Sequence, residues 1–266
     1  MKHISPFPYY GGKDRLMPFL QTNFLPAYRF VDLFGGSAVV SFSVVGQYKS
    51  VVYNDIDHRI VNFFRTLRDK ETELVRSIDL TPFSRHEFFL AFEEAEDDIE
   101  DARRVFTRIT QSVAGLGLWR RTGWSTPGDR RCRIPRMESR IAALSKISAI
   151  LRKMTLECKD WRWMIKRYGK GDVFIYADPP YDMQARNGIA YGHEMSEQDH
   201  CELAEALWNT PSAAVSGYRS ELYDRLYAGW IRKDLTHSCS HVPSERTECL
   251  WVKTANGSHP LFRGAS

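Results

Sequence analysis

The run Asp178-Pro179-Pro180-Tyr181 places a carboxylate, a rigid turn and an aromatic ring directly after the apolar residues 173–177. Two prolines have no backbone N–H and stiffen the turn, so the Asp178 carboxylate and nearby main-chain carbonyls are left as acceptors. Such acceptors beside an aromatic face suit a planar amine, because they can bind its two N–H groups while its ring stacks. A purely structural turn could have the same residues, but the position after a buried strand favours an amine-binding site.

Two more acidic residues follow apolar stretches nearer the N-terminus. Asp32 precedes the turn Gly35-Gly36, and Asp55 lies 23 residues after Asp32. Glycine lets a backbone approach a bound nucleoside, and an acid about 20 positions after such a turn binds ribose hydroxyls in nucleotide-binding βαβ units. The turn does not match the full dinucleotide fingerprint. A purely structural turn, and a helix cap by Asp55 or Asp57, remain alternatives.

Five segments that could position these acids are predicted to be strands. They are residues 29–34, 50–54, 173–177, 213–216 and 248–254. The early ones show little polar alternation, as in a sheet covered on both faces. Asp32, Asp55 and Asp178 each lie at or near the carboxyl end of one of the first three. Ligands bind beyond those ends in open α/β sheets, so this edge is the predicted site.

Helical segments separate the strands. Residues 57–68 are one predicted helix, and Ser196 to Asp199 resemble a capping box that opens another, ending at Trp208. The alternation predicts an α/β fold with a doubly wound, mostly parallel sheet. Residues 82–165 interrupt it and are predicted to form an inserted, mostly helical lobe, so residues 1–81 and 166–266 form the main domain.

Charge is segregated along the chain. Residues 101–170 hold 18 Lys or Arg against five Asp or Glu, whereas the whole chain has a net charge of only +4. This surplus predicts that the middle third faces a polyanion. The stretch from Glu87 to Asp101 has eight acidic residues and no basic one, and it is predicted to be a solvated helix face turned away from that partner.

The remaining composition excludes several classes of protein. The five cysteines are odd in number and widely scattered, which predicts free thiols and no structural metal. No apolar run approaches the ~20 residues that cross a bilayer, and the N-terminus lacks the apolar core of a secretory signal. We therefore expect a soluble, cytoplasmic protein that binds neither membrane nor metal, and we expect a monomer.

Three motifs occur in an order that resembles a known family. Tyr9-Tyr10-Gly11-Gly12-Lys13 comes first, the DLFGGSA turn that begins at Asp32 comes next, and the DPPY run follows the insert. This order resembles that of the Dam-type, class alpha DNA adenine-N(6) methyltransferases. Phage and prophage members are especially similar, including the SGY that begins at Ser216. The resemblance spans the chain, is weakest across the insert, and implies a Rossmann-like, S-adenosylmethionine-dependent methyltransferase fold.

The resemblance also implies residues for the cofactor, S-adenosylmethionine. Tyr9 and Lys13 would line its site, and Asp55 would hold the ribose hydroxyls. The methionine part would be held by Asp32 and the Gly35-Gly36 turn, and Phe34 is a further cofactor-binding candidate. One departure is Ala38, where the family turn often has glycine; its methyl group is expected to tighten the pocket without abolishing binding.

In the same way, the resemblance implies that the DPPY run acts on an adenine flipped out of double-stranded DNA. Asp178 would lie between cofactor and base, and the Pro179 carbonyl would share the amine. Pro180 stiffens the turn, and Tyr181 would stack on the base. The same acceptor pair would fit the 4-amino group of cytosine, although such enzymes often have serine in place of Asp178. A catalytically silent DNA-binding regulator is a further alternative.

The inserted region is the predicted target-recognition part, in a loop that enters a DNA groove. Its candidate DNA-binding residues flank two glycine turns: Arg120, Arg121, Trp124, Arg130, Arg131, Arg133 and Arg136. For each single arginine, a solvated side chain or a phosphate-only contact is the simpler alternative.

Overall fold

The computed structural model describes residues 5–7, 13–113, 123–125, 134–180, 195–237 and 246–253. Within these ranges, seven strands form one sheet: β1 Arg29–Asp32, β2 Ser50–Asn54, β3 Thr155–Glu157, β4 Val173–Ala177, β5 Ser212–Tyr218, β6 Ile231–His237 and β7 Arg246–Lys253. Their order across the sheet is β3-β2-β1-β4-β5-β7-β6. The first five run parallel, and β7 is antiparallel to both β5 and β6. The prediction of a mostly parallel sheet is confirmed.

Helices cover both faces of this sheet. The described helices are α1 Met17–Asn23, α2 Val39–Val44, α3 His58–Asp69, α4 Glu71–Asp79, α5 Arg85–Leu90, α6 Asp98–Gln111, α7 Ile134–Ile141, α8 Leu144–Leu151, α9 Trp161–Tyr168, α10 Glu197–Trp208 and α11 Glu221–Leu226. Alternate strand residues feed two apolar clusters. Phe30 and Tyr176 pack with α1–α4, α6 and α8, whereas Val31 and Ile175 pack with α9–α11. This is the doubly wound arrangement that the sequence predicts.

Local capping explains where two central helices begin. Asp57 is the N-cap of α3, and its carboxylate accepts from the backbone N–H groups of Arg59 and Ile60. The predicted capping box before α10 is confirmed, because the Ser196 hydroxyl accepts from the Asp199 N–H while the Asp199 carboxylate accepts from the Ser196 N–H. Capping α3 therefore falls to Asp57, which leaves Asp55 to a different role.

The predicted insert shares its packing with the sheet. Strand β3 lies within residues 82–165, yet it pairs with β2, so the chain rejoins the sheet before the predicted boundary at residue 166. Val105 and Phe106 of α6 and Ile147 of α8 are buried in the same cluster as α3. Two of the helices in this region thus complete one face of the sheet.

The prediction of a wholly solvated acidic face is wrong for three residues. Asp101 is buried and accepts from Arg59 Nε at 2.8 Å. Glu87 and Glu100 both bond Arg103. The cause is that arginines of α3 and α6 lie against this stretch and take up its charge. The five remaining acidic side chains are exposed, as expected: Glu93, Glu94, Glu96, Asp97 and Asp98.

A left-handed backbone turn joins β1 to α2. Gly36 has φ +49°, and Ala38, which precedes α2, has φ +59°. An L-residue with a Cβ is strained in this region by about 1–2 kcal/mol, and Ala38 is fully buried. Its effect is therefore backbone strain at the turn, in addition to the tightening expected from its methyl group.

Replacing Ala38 by glycine should be almost neutral for stability. Relief of the left-handed strain offsets the lost methyl burial and the added chain entropy, so we expect the free energy of unfolding to change by less than about 1 kcal/mol. Ala102, which is fully buried within α6, is the matched control. Ala102→Gly should cost about 2 kcal/mol from helix propensity and lost burial. If urea unfolding showed that Ala38→Gly and Ala102→Gly lose the same stability, backbone strain at Ala38 would be contradicted.

Candidate active site

Three carboxylates meet at one edge of the sheet, as predicted. Asp32 ends β1 and is level with Tyr53 of β2 and Tyr176 of β4. Asp55 and Asp178 come two residues after those positions. Since β1, β2 and β4 are parallel neighbours, their carboxyl ends bring these acids together.

Asp178 is held through one of its two oxygens. Its Oδ1 lies 3.0 Å from Lys13 Nζ and accepts a hydrogen bond of 2.7 Å from the Ser216 hydroxyl. Its Oδ2 makes no hydrogen bond to any described residue, and the side chain is 19% exposed. One carboxylate oxygen is therefore committed to the protein, while the other can accept from a ligand.

Lys13 is buried beside two acids. Its side chain is 4% exposed, and its Nζ is also 4.0 Å from Glu248 Oε1. Burial alone would lower the pKa of Lys13, but Asp178 and then Glu248 outweigh that effect and raise this pKa above its ordinary value. Lys13 is therefore a permanent cation that fixes Asp178 from the protein side.

Asp32 has an acceptor that the described part of the chain does not satisfy. Its Oδ2 accepts from the Ser41 hydroxyl at 2.7 Å, whereas its Oδ1 is buried with no partner there. Burial raises the pKa of Asp32 to about 7, with smaller contributions from Asp178 and Asp55, against the opposing effect of the Ser41 bond. A buried carboxyl with an open oxygen is well suited to a cationic ligand.

The glycine turn is stabilised by β2. A Cβ on Gly35 would overlap the Tyr53 ring, so glycine is required there by close packing within the protein. Asp55 accepts from Gly36 N at 2.8 Å through Oδ2, and from Asp57 N at 2.9 Å through Oδ1. Both Asp55 oxygens therefore help to hold the turn, as the purely structural interpretation of this turn predicts.

Several site residues were not predicted from the sequence. Ser41 bonds Asp32, Ser216 and Glu248 surround the Asp178–Lys13 pair, and Tyr176 lies behind Ser216. Tyr176 and Asp178 are two positions apart on one strand, and that spacing could have flagged Tyr176. Ser216 and Glu248 come from other strands, so only the pairing of β5 with its neighbours brings them in.

Trp124, one of the predicted DNA-binding residues, packs beside the end of α6. Its Nε1 donates to Gln111 Oε1 at 3.1 Å, its ring packs 5.4 Å from that of Phe83, and the Arg85 guanidinium lies 5.3 Å from its centroid. Ser112, just after α6, forms a bridge with Trp124. These contacts therefore hold residues 123–125 against the end of α6.

The structure accounts for the other predicted site residues as follows. Pro179 is buried, and Phe34 and Pro180 are half-buried. Arg136 lies in α7, with its side chain outside the described part. The following predicted residues lie outside the described ranges: Tyr9, Arg120, Arg121, Arg130, Arg131, Arg133 and Tyr181.

Among the described residues, Cys158, Cys201 and Cys249 form no disulfide, and no cluster of three His, Cys, Asp or Glu is arranged to hold a metal ion. None of the helices in the described ranges has both the length and the apolar composition of a membrane span.

The sheet order and the acids at its carboxyl edge are consistent with a Rossmann-like methyltransferase fold. A family model for D12 class N6 adenine-specific DNA methyltransferases matches residues 9–236. This chain belongs to that family, and it is accordingly an adenine-specific DNA methyltransferase whose substrate is DNA.

Two solved structures are similar to the chain at low identity. A conserved hypothetical protein from Streptococcus pyogenes has 11% identity and a TM-score of 0.39, over 92% of this chain and 98% of that one. The protein yhhF from Escherichia coli, described as a methyltransferase, has 9% identity and a TM-score of 0.36, over 93% of this chain and 88% of that one. The family assignment therefore rests on the family model.

The raised pKa of Asp32 makes stability depend on pH in the ligand-free protein. Between about pH 4 and pH 7 the folded state keeps a proton that the unfolded chain has released, so stability falls as pH rises and levels off above pH 7. The loss is on the order of 4 kcal/mol for a shift of this size. Asp32→Asn should remove this pH-dependent loss. The stability of the variant relative to the wild type should therefore be greater at pH 8 than at pH 5.

Urea unfolding of the free protein at pH 5 and pH 8 measures this difference. Asp79→Asn, at an exposed position in α4, is the control and should follow the wild type at both values. Parallel behaviour of Asp32→Asn and the wild type would mean that Asp32 is not the buried proton-binding group.

Proposed function

We propose that this methyltransferase transfers the methyl group of S-adenosylmethionine to the 6-amino group of an adenine flipped out of double-stranded DNA. The observation that carries the proposal is the state of Asp178, whose Oδ1 is bound by Lys13 and Ser216, while its Oδ2 has no hydrogen-bond partner among the described residues.

The acids at the sheet edge fit the charge of the cofactor. S-adenosylmethionine supplies a reactive methyl on a sulfonium and also carries an ammonium group, so it needs nearby anions. The open Oδ1 of Asp32 offers one, since binding a cation would stabilise its ionised form. Asp55, at the same edge of the sheet, is proposed to hold the ribose hydroxyls. Other residues proposed to contact the cofactor are Tyr9, Lys13, Phe34, Gly35 and Gly36.

Asp178 and the Pro179 carbonyl are proposed to accept both hydrogens of the adenine amine. The lone pair of that nitrogen is delocalised into the ring, which makes it a poor nucleophile. Two acceptors in fixed positions would favour a pyramidal nitrogen with its lone pair aimed at the methyl carbon. They would also stabilise the positive charge that develops on the nitrogen. Pro180 keeps the turn rigid.

An adenine within a duplex is out of reach, so its base must leave the stack. The cost of a few kcal/mol would be offset in part by stacking on Tyr181. Cytosine presents a similar amine to the same acceptors, but the family match specifies N6 of adenine. Phosphate contacts from the basic region are proposed to supply affinity that depends on salt.

Asp178→Ala should abolish methyl transfer, a loss of at least about 1000-fold, while DNA affinity changes less than about threefold, because the carboxylate acts on the amine in the transition state. Transfer of labelled methyl groups to DNA, followed by digestion to nucleosides, measures both the rate and the modified base. Asp178→Asn serves as a second variant of similar shape, and Asp172→Ala, just before β4 at its far end, is the control.

Each result of that assay bears on the proposal. Label on N6-methyladenine with the wild type and with the Asp172→Ala control, but not with Asp178→Ala, supports it. Label on cytosine would remove the adenine assignment, and full activity of Asp178→Ala would remove the proposed role of the carboxylate.

Replacing both Arg130 and Arg131 by alanine should flatten the dependence of DNA affinity on salt. Each phosphate contact contributes about 0.9 to the slope of log K against log salt, so the slope should fall by up to about 2. Arg65 and Arg68 of α3 pair with Asp98 and Asp69, and their double alanine variant should keep the wild-type slope. An unchanged slope in the Arg130 and Arg131 variant would place the DNA surface elsewhere.

A further inference from the structure

A chain of hydroxyl groups leads from the interior of the sheet to Asp178. Tyr176 OH lies 2.9 Å from Ser216 Oγ, which lies 2.7 Å from Asp178 Oδ1. A carboxylate paired with a lysine can only accept, so the single hydrogen of Ser216 goes to Asp178. Ser216 Oγ must then accept from Tyr176. The direction of the chain is therefore Tyr176 to Ser216 to Asp178.

The sheet fixes all three residues on one face. Tyr176 lies in β4 and Asp178 follows directly after that strand, two positions further on, so their side chains point the same way. Tyr176 is paired in register with Ala214 of β5, and Ser216 lies two positions beyond Ala214. Tyr176 is fully buried and Ser216 is 2% exposed. The two hydroxyl groups are thus held by rigid strands and shielded from water.

We propose that Ser216, itself held by Tyr176, is a positioning residue for Asp178 in the methyl transfer. The final torsion of an aspartate is broad and roughly two-fold, so the Lys13 pair alone leaves the carboxylate free to turn about its axis. A second donor on Oδ1 fixes that rotation and keeps Oδ2 facing the amine. The inference rests on the proposed function, because it needs Asp178 to accept from the substrate.

Tyr176 is suited to keep this direction at all working pH values. Burial, followed by the neighbouring charge of Asp178, raises the pKa of Tyr176 well above its ordinary value. The tyrosine therefore stays protonated and remains a donor. Ser216 is left with only one orientation of its hydrogen that satisfies both neighbours.

Ser216→Ala should lower the rate constant of methyl transfer about 10- to 100-fold, since loss of orientation at a reacting group has effects of this size. The KM values for DNA and for S-adenosylmethionine should stay within about threefold. Ser216→Thr keeps the hydroxyl and should recover most of the rate. Ser212, on the same strand, donates instead to Val173 O at the far end of β4, so Ser212→Ala is the matched control and should act like the wild type.

Tyr176→Phe tests the same chain without changing Ser216, and it also serves if Ser216→Ala does not fold. Tyr176→Phe should lower the rate constant of methyl transfer less than Ser216→Ala does, about threefold to tenfold, because Tyr176 acts through Ser216. The double variant should be no slower than Ser216→Ala. Thermal unfolding of every variant shows whether the fold is intact.

The outcomes separate this inference from the proposed function. A wild-type rate in folded Ser216→Ala, losses confined to KM, additive effects in the double variant, or no recovery with Ser216→Thr would each overturn the positioning role. Wild-type protein that transfers no methyl group from S-adenosylmethionine to adenine would instead overturn the proposed function.

Discussion

The ion pair between the buried Lys13 and the half-buried Asp178 is the interaction on which the rest of the site depends. Removing both charges from water is costly, and a close partner offsets that cost only when further hydrogen bonds complete the geometry. Here Glu248 adds a second negative charge near Lys13, and Ser216 adds a second donor to Asp178. Because Lys13 and Ser216 both bind Oδ1 of Asp178, the other carboxylate oxygen faces the proposed ligand.

The sheet makes this arrangement possible because its parallel register puts separate strands level with one another. Asp32, Tyr53 and Tyr176 are in one row across β1, β2 and β4. In the turn after β1, Gly35 approaches the Tyr53 ring so closely that there is no room for a Cβ. The glycine turn is therefore part of the packing that holds the acids at their spacing, and its contact with a cofactor is a separate, proposed role.

Much of this fold could be predicted from patterns of apolar residues. The strands β1, β2, β4, β5 and β7 carry buried residues on both faces, and that pattern is visible in the sequence. Strand β3 has three residues, too few to show a period, and β6 is an exposed edge that carries Arg232, Lys233 and Asp234 in succession. Charges on an edge strand prevent further pairing, but in a sequence they are also typical of a loop or a helix.

Part of the candidate site could likewise be predicted from the sequence, and part could not. The three acids could be placed together, because each follows a strand and parallel strands share an edge. Their hydrogen-bond partners could not, since Ser216 is 38 positions from Asp178 and its contact depends on the register of β5. The acidic stretch before α6 shows a related limit: pairing of Asp101 with Arg59 depends on two helices meeting, and the charge pattern of one segment does not contain it.

Asp32 and Asp178 share a pattern that links the two halves of the proposed reaction. In each, a serine donates to one oxygen, Ser41 for Asp32 and Ser216 for Asp178, while the other oxygen has no partner in the part of the chain described. The two remaining oxygens differ in burial. Asp32 Oδ1 is enclosed and suits a cation, whereas Asp178 is partly exposed and its Oδ2 can accept from a neutral amine. The negative charge of Asp178 contributes to the raised pKa of Asp32, so the two carboxyl groups repel each other. A cation bound at Asp32 would relieve that repulsion, and cofactor binding would then favour the site geometry that the base requires.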